Sequence, residues 1–271
     1  MIFVNLPTLS ERRRFFFPVL RLLFLIVGPL INTTEAQESS VSQPENKFSE
    51  QQIIEKLESL GGRVFKESGH VVEVNMDRTK IEDKDLSLIA SLAEITDLSL
   101  EQTQVGDSGI IYLESLKKLE WLNLYGTQVS NAGLKVLQRF NNLQHLPIGR
   151  TKVTDVGLVE LGKMTQLKYL GLRGDDVSDS GVRYLANLKN LIGLHLGETK
   201  ISDNGLIYLQ PLTKLKKLWL NNTIITDHGL AHLAMLKNLE QLHVYETQVT
   251  EEGFKQLHSE LPNCLIIYRV E

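Results

Sequence analysis

Three histidines, two tryptophans and several close carboxylates carry most of the chemical potential of this 271-residue chain. Their spacing decides what they can do. His145, His195 and His243 are separated by about two turns of the repeat described below, so neighbours stand on the order of 10 Å apart on a sheet, too far to share a metal ion with ligand distances of ~2 Å. His228 and His232, four apart beside Asp227, share one helical face but read as a solvated surface. Asp175, Asp176 and Asp179 offer hard oxygen ligands for a cation, although Asp179 already has a helix-capping role. No G-x-S-x-G, G-x-x-x-x-G-K-[ST] or H-E-x-x-H occurs, and the only cysteine, Cys264, has no base placed to activate it. The expectation is no catalytic set, no metal and no cofactor. Trp121 and Trp219 point elsewhere, because a rigidly held aromatic ring anchors a partner at small entropic cost.

The rest of the composition narrows the field. A chain with 42% hydrophobic and 23% charged residues can bury a continuous core. Its formal charge is -4, and because Arg12, Arg13, Arg14 and Arg21 outweigh Glu11 and Glu35 by +2, the chain from Gln37 onward carries -6. That balance excludes nucleic acid, whose binding needs a clustered basic footprint. Residues 1–36 read as a signal peptide: Arg12 to Arg14, an apolar run from Phe15 to Ile31, then Thr34-Glu35-Ala36 as a small-x-small cleavage site. Export follows, with a secreted, periplasmic or cell-envelope location; membrane attachment enters only if the segment stays uncleaved. A lone cysteine far from that site permits neither an intrachain disulfide nor a lipidated N-terminus.

The elements that must position these residues come from an internal repeat. Leucines at 98, 122, 146, 170, 194, 218 and 242 recur every 24 residues, followed two residues on by Leu100, Leu124, Ile148, Leu172, Leu196, Leu220 and Val244. Thr103, Thr127, Thr151, Asp175, Thr199, Thr223 and Thr247 form a third column, and Gly109 through Gly253 a fourth. The consensus is L-x-x-L-x-L-x-x-T-x-V-[ST]-D-x-G-L-x-x-L-x-x-L-x-x. In L-x-L both leucines face the core of a short strand and the intervening residue faces out. The [ST]-D pair supplies an N-cap hydroxyl and a first-turn carboxylate, so a short helix starts there. The threonine column suits buried hydroxyls that satisfy backbone groups in the bend. The glycine column suits either close approach of successive coils or a backbone angle that other residues avoid.

The L-x-x-L-x-L core resembles the leucine-rich-repeat superfamily, and the T-x-V-[ST]-D-x-G-L tail is similar to bacterial 24-residue repeats. The resemblance implies a right-handed α/β solenoid, a horseshoe arc with a parallel concave sheet and short convex helices. One coil cannot bury its own leucines, so both ends need caps. The organisation expected is a flexible linker over 37–50, an N-terminal cap of helix plus hairpin over 51–73, one degenerate and seven regular repeats over 74–264, and a capping strand over 265–271. Cys264 is expected at a core-facing leucine position.

Residues beside the strand leucines line the concave face. Read as columns, they hold both tryptophans and Tyr125, Tyr169 and Tyr245. Small residues, namely Pro147, Gly149, Gly171, Gly174, Gly193 and Gly197, occupy the middle repeats between Trp121 and Tyr125 on one side and Trp219, His243 and Tyr245 on the other. This pattern predicts a depression with aromatic walls and Arg150, Arg173 and Glu198 as polar contacts; the competing readings are that glycine in a strand simply tolerates strain beside the consensus break at Asp175 and, for the aromatics, that neighbouring rings merely cover the sheet. The expected ligand-binding set is Trp121, Tyr125, His145, Arg150, Tyr169, Arg173, His195, Trp219, Asn221, His243 and Tyr245. It belongs to a non-enzymatic binding module for a protein or peptide partner. Alternatives are a glycan stacked on the rings and hydrogen-bonded by Glu198, Asn221 and Asn222, or a structural envelope component. Asn221-Asn222-Thr223 is a glycosylation sequon expected to stay unmodified.

Overall fold

The structure, a computed structural model, describes residues 48–269. The export signal expected over residues 1–36 lies outside the described residues, as does almost all of the linker expected over 37–50. Ser49 caps helix α1 (Glu50–Ser59) with a reciprocal pair of hydrogen bonds to Gln52. Strands β1 (Arg63–Glu67) and β2 (His70–Asn75) then form an antiparallel hairpin. Ser68 and Gly69 turn it with positive φ of 52° and 89°.

From β2 onward the chain winds as a solenoid. Three-residue strands recur at the leucine period: β3 (Asp97–Ser99), β4 (Trp121–Asn123), β5 (His145–Pro147), β6 (Tyr169–Gly171), β7 (Gly193–His195), β8 (Lys217–Trp219) and β9 (Gln241–His243), with β10 (Leu265–Ile267) closing the series. Between them run short outer helices: α2 (Leu86–Ile89), α3 (Asp107–Tyr112), α4 (Asn131–Leu137), α5 (Asp155–Leu161), α6 (Asp179–Val182), α7 (Asp203–Leu206), α8 (Asp227–Leu233) and α9 (Glu251–Glu260). All ten strands form one sheet in chain order, parallel from β2 to β10. This is the α/β leucine-rich-repeat architecture expected from the repeat. The L-x-L leucines are fully buried in every coil, and each contributes about 1.5–3 kcal/mol of apolar burial. Pro147 has no N–H to donate, and pairing between β4 and β5 shrinks to Trp121 against His145.

The polar columns divide the work between them. The threonines satisfy their own bend, as the sequence suggested, except Thr151, whose N–H and hydroxyl meet Asp175 of the next coil. Thr103, Thr127, Thr199 and Thr223 each donate to the carbonyl three residues earlier, at 2.6–2.8 Å, and so tie down their own bend. The link between coils is the aspartate of the [ST]-D pair, whose carboxylate reaches the next coil's cap. Asp107 accepts from the Ser130 N–H (2.8 Å) and hydroxyl (2.6 Å), and Asp203 accepts the same two bonds from Thr226 at 2.7 and 2.6 Å. Asn131 keeps the pattern, accepting from the Thr154 N–H and donating to its hydroxyl.

This ladder explains the recurring glycine. A Cβ on Gly133 would lie 2.6 Å from the Asp107 carboxylate, so close approach is what the column requires. The left-handed angles occur elsewhere: Arg78, Gln102, Gly126, Arg150, Gly174, Glu198, Asn222 and Glu246, one per coil, all have φ between 52° and 72°. Their column turns the chain off the concave sheet. Cys264 is buried, although strand register aligns it with Glu240 rather than with a leucine.

Candidate functional site: the concave face of coils β5 to β9

Parallel strands bring side chains from successive coils side by side at about 4.8 Å, so any two rings in neighbouring coils of one column must stack or splay. His195, Trp219 and His243 occupy one column and stack. The imidazole of His195 lies 5.4 Å from the Trp219 ring with an interplanar angle of 10°, and His243 covers the opposite face at 5.6 Å and 24°. Tyr169 meets the indole edge-on at 6.4 Å, and Tyr245 meets His243 edge-on at 6.3 Å. The five rings form one continuous row whose indole faces are both covered. Trp121 and His145 sit farther along the sheet, paired in register between β4 and β5, with Tyr169 beside His145 in β6. All of these rings are half-buried.

Burial disfavours the charged form of all three histidines on this face. Burial pushes His195 down to about 3, with nearby Arg173 acting in the same direction. His145 falls to about 4 by burial, with a contribution from Lys168. His243 is also lowered, first by burial and then by Lys217. Geometry fixes the tautomer of His195, because its Nδ1 accepts the Gly197 N–H at 3.1 Å and the remaining proton sits on Nε2.

A second group adjoins the row. Arg150 donates to Glu198 Oε2 at 2.8 Å, and Arg173 donates to Oε1 of the same carboxylate through Nε at 2.8 Å and through Nη2. Arg150 and Glu198 are 48 residues apart, two coils in sequence, so the arginine must cross the coil between them. Gly174 makes the crossing possible: a Cβ there would lie 3.0 Å from Arg150 Cγ and 3.6 Å from Glu198 Oε2. Burial alone would raise the Glu198 carboxyl, but the hydrogen bonds from Arg173 and Arg150 hold it below its ordinary value. Tyr125 faces the same group; burial raises its phenol, against the pull of Arg150 and Arg173.

The depression expected in the middle repeats is therefore filled. Tyr169 lies over Gly171 and Gly193, where added Cβ atoms would stand 3.2 Å from its hydroxyl and 2.9 Å from its Cδ2. Gly197 lies against His195 and Asn221, and Gly149 against the backbone of Arg173. The glycines make room for neighbouring side chains rather than for a cavity, and lateral packing of the rings is realised around Trp219. Asn221 needs a further correction: it is 4% exposed and its Oδ1 has no partner, so it lies beneath the surface it was expected to line, and its burial removes it as a glycan acceptor.

The remaining candidates disperse. Asp175 accepts from the Thr151 N–H and hydroxyl, Asp176 pairs with Lys200 at 2.6 Å, and Asp179 accepts from Ser202, so the three carboxylates do not converge. Asp227 beside His228 is engaged by Thr250. His195 and His243 are separated by the indole, and among the described residues no group of three His, Cys, Asp or Glu side chains could hold a metal. Glu198 was legible as a polar contact beside Arg150 and Arg173 on the concave face. Its role as the hinge of two arginines follows from the left-handed column, which was not legible.

No protein-family model and no curated protein sequence matches the chain. Solved structures do. An internalin from Listeria monocytogenes is 27% identical and superposes with a TM-score of 0.58, over 69% of this chain and 51% of that one. Internalin C2 of the same organism is 23% identical, with a TM-score of 0.59 over 73% and 80% of the two chains. The leucine-rich-repeat ectodomain of the plant membrane receptor kinase GASSHO1/SCHENGEN3 from Arabidopsis thaliana, solved in complex with Casparian strip integrity factor 2, is 15% identical with a TM-score of 0.51 over 76% and 25%. This chain spans about half the length of the first internalin structure.

Proposed function

From the premise that this chain is a leucine-rich-repeat protein, we propose that it is a non-enzymatic binding module that recognises a protein or peptide partner on its concave face, outside the cytoplasm. The fold supports a protein-interaction module in general terms. The observation that carries the finer reading is the row of five rings from Tyr169 to Tyr245, centred on Trp219. Stacked rings are held rigid before any partner arrives, so little side-chain entropy remains to be lost on binding.

The same stacking ranks a protein partner above a glycan. A sugar ring is recognised by lying flat on an aromatic face, and both faces of Trp219 are already covered by imidazoles. What stays open is a ridge of ring edges, which suits apolar and polar side chains of a peptide surface. The place outside the cytoplasm rests on the sequence of residues 1–36; among the described residues no helix is long and apolar enough to cross a membrane.

Both tryptophans lie on strands of the one sheet, so intrinsic emission reports on this face without labels. The test is retention of a specific partner from the native secretome by the wild type, compared with Trp219→Ala and Tyr169→Ala. Loss of that partner with unchanged melting supports the reading. Retention of the same partner by both variants, with unaltered emission on binding, would overturn it.

A further inference from the structure

We infer that the partner of the concave face, granted that this face binds one, presents an acidic peptide segment, and that Arg150 and Arg173 grip its carboxylates while Glu198 acts as an internal, displaceable counter-ion. The inference rests on the concave reading above and adds the chemistry of the partner.

Three observations carry it. First, the charges do not balance: two guanidinium groups share one carboxylate, leaving an excess of one positive charge on that patch. The other acidic side chains near it are engaged: Asp175 is held beneath the surface by Thr151, Asp176 is paired with Lys200, and Glu101, beside Tyr125, pairs with Arg78 at 3.6 Å and accepts from Asn123. Second, the arginines face outward. Their side chains are 55% and 42% exposed, whereas that of Glu198 is 20% exposed. A guanidinium has five N–H donors in a rigid fork; Glu198 engages one nitrogen of Arg150 and two of Arg173, and donors remain for a second carboxylate. Third, the patch is built in place. Arg150 lies across Gly174 in a path that a side chain at that position would crowd, and the patch adjoins the ring row, since His195 feels both Arg173 and Glu198. A carboxylate docked on the arginines would set the neighbouring peptide residues against His195 and Trp219. Bidentate carboxylate recognition is what paired arginines do well.

The test uses fluorescein-labelled random copolymers of glutamate with tyrosine and of lysine with tyrosine, read by anisotropy with tryptophan emission alongside. The acidic copolymer is expected to bind, more weakly as salt rises, and the basic one to bind at least ~10-fold more weakly. Replacing Arg150→Gln and Arg173→Gln together should weaken the acidic copolymer ~10-fold or more, and Arg150→Gln alone should do so in part. Glu198→Gln is the discriminating variant: by removing the internal competitor it should strengthen binding by roughly 3- to 10-fold. The inference falls if the wild type ignores the acidic copolymer, if Glu198→Gln binds no better while melting normally, or if the lysine copolymer binds as tightly. Should Trp219→Ala abolish binding while the arginine variants keep it, the concave reading stands and this inference fails. Should all of these variants bind like the wild type, both fail.

Discussion

Restoring the consensus at Asp175 should stabilise the protein, and by an amount that depends on pH. Six coils place threonine at this position, and where the hydroxyl is buried it donates to its own bend. In the seventh, Asp175 is 3% exposed, its Oδ1 accepts from the Thr151 N–H at 2.7 Å and hydroxyl at 3.1 Å, and its Oδ2 has no partner. Burial pushes its carboxyl up from the ordinary 3.8 to about 7, against the two hydrogen bonds from Thr151. An acid whose folded pKa is raised binds its proton more tightly in the native state. Its contribution is therefore fully present below the unfolded value and is lost as pH rises through the folded one. A shift of this size corresponds to at most ~4 kcal/mol, and an interior of effective dielectric nearer 20 than 4 reduces it to about 2 kcal/mol. Asp175→Thr is expected to match the wild type within about 1 kcal/mol at pH 5 and to exceed it by about 2–4 kcal/mol at pH 8.5. Asp175→Asn, a mimic of the protonated acid, should follow it. Urea midpoints with unchanged slopes at pH 5, 7 and 8.5 measure the gap. If the gap is the same at all three pH values, or if the wild type gains on the variant as pH rises, then Asp175 is ionised throughout and the reasoning is wrong.

The inter-coil ladder gives a second expectation: Asp203→Ala strands the Thr226 N–H and hydroxyl and should cost about 2–3 kcal/mol, while Asp203→Asn should cost less because its carbonyl still accepts; equal losses in denaturant midpoint would show that the carboxylate works only through charge. Gly174→Val places a β-branched residue at φ 72° in the path of Arg150, and at least about 1–2 kcal/mol of destabilisation is expected. Arg150→Ala in that background should recover part of the loss, and no recovery in thermal melts would mean that the crossing is not the cause. Because His195 sits near 3 and His243 is lowered by burial and by Lys217, Trp219 emission should be quenched by acid with a midpoint below the ordinary imidazole value of 6.5, as the stacked imidazoles gain protons. A quenching midpoint near 6.5 in wild type that Trp219→Ala abolishes would show that the rings are wetter than the structure has them.

How much of this was legible in the sequence follows from which forces are periodic. Leucine burial repeats strictly, so the period of 24 located each strand, its core face and its concave face without knowledge of any contact. Side-chain length and donor geometry do not show in a period. The aspartate after the cap was legible as a helix N-terminal charge, yet its reach into the next coil depends on how closely coils stack, and Gly133 is the trace of that closeness. Both possibilities for the glycine column were open in the sequence; only the 2.6 Å gap between a Gly133 Cβ and Asp107 decides for close approach. The left-handed column was hidden because most of its members are not glycine: arginine, glutamine, glutamate and asparagine hold φ near 55° there, where the hydrogen bond from the Arg150 N–H to the Arg173 carbonyl and its equivalents offset the strain.

The concave face was half legible for a related reason. Columns place residues in neighbouring coils side by side, so the approach of His195, Trp219 and His243 followed from arithmetic. Whether such rings stack on one another or stand apart depends on what lies beside them, and small neighbours act in the opposite sense from the one that composition suggests. A glycine leaves space, and in a closely packed sheet the nearest long side chain takes it: Tyr169 over Gly171 and Gly193, Arg150 over Gly174. Gly171, Gly174, Gly193 and Gly197 thus mark places that neighbouring side chains occupy, and Gly174 explains why Arg150 reaches a carboxylate two coils away. A Gly193→Ser substitution separates the two ideas: if Tyr169 occupies that space, the new Oγ must push it off the edge of Trp219, shifting tryptophan emission and lowering the melting temperature. In an open depression the same change would leave both where they are.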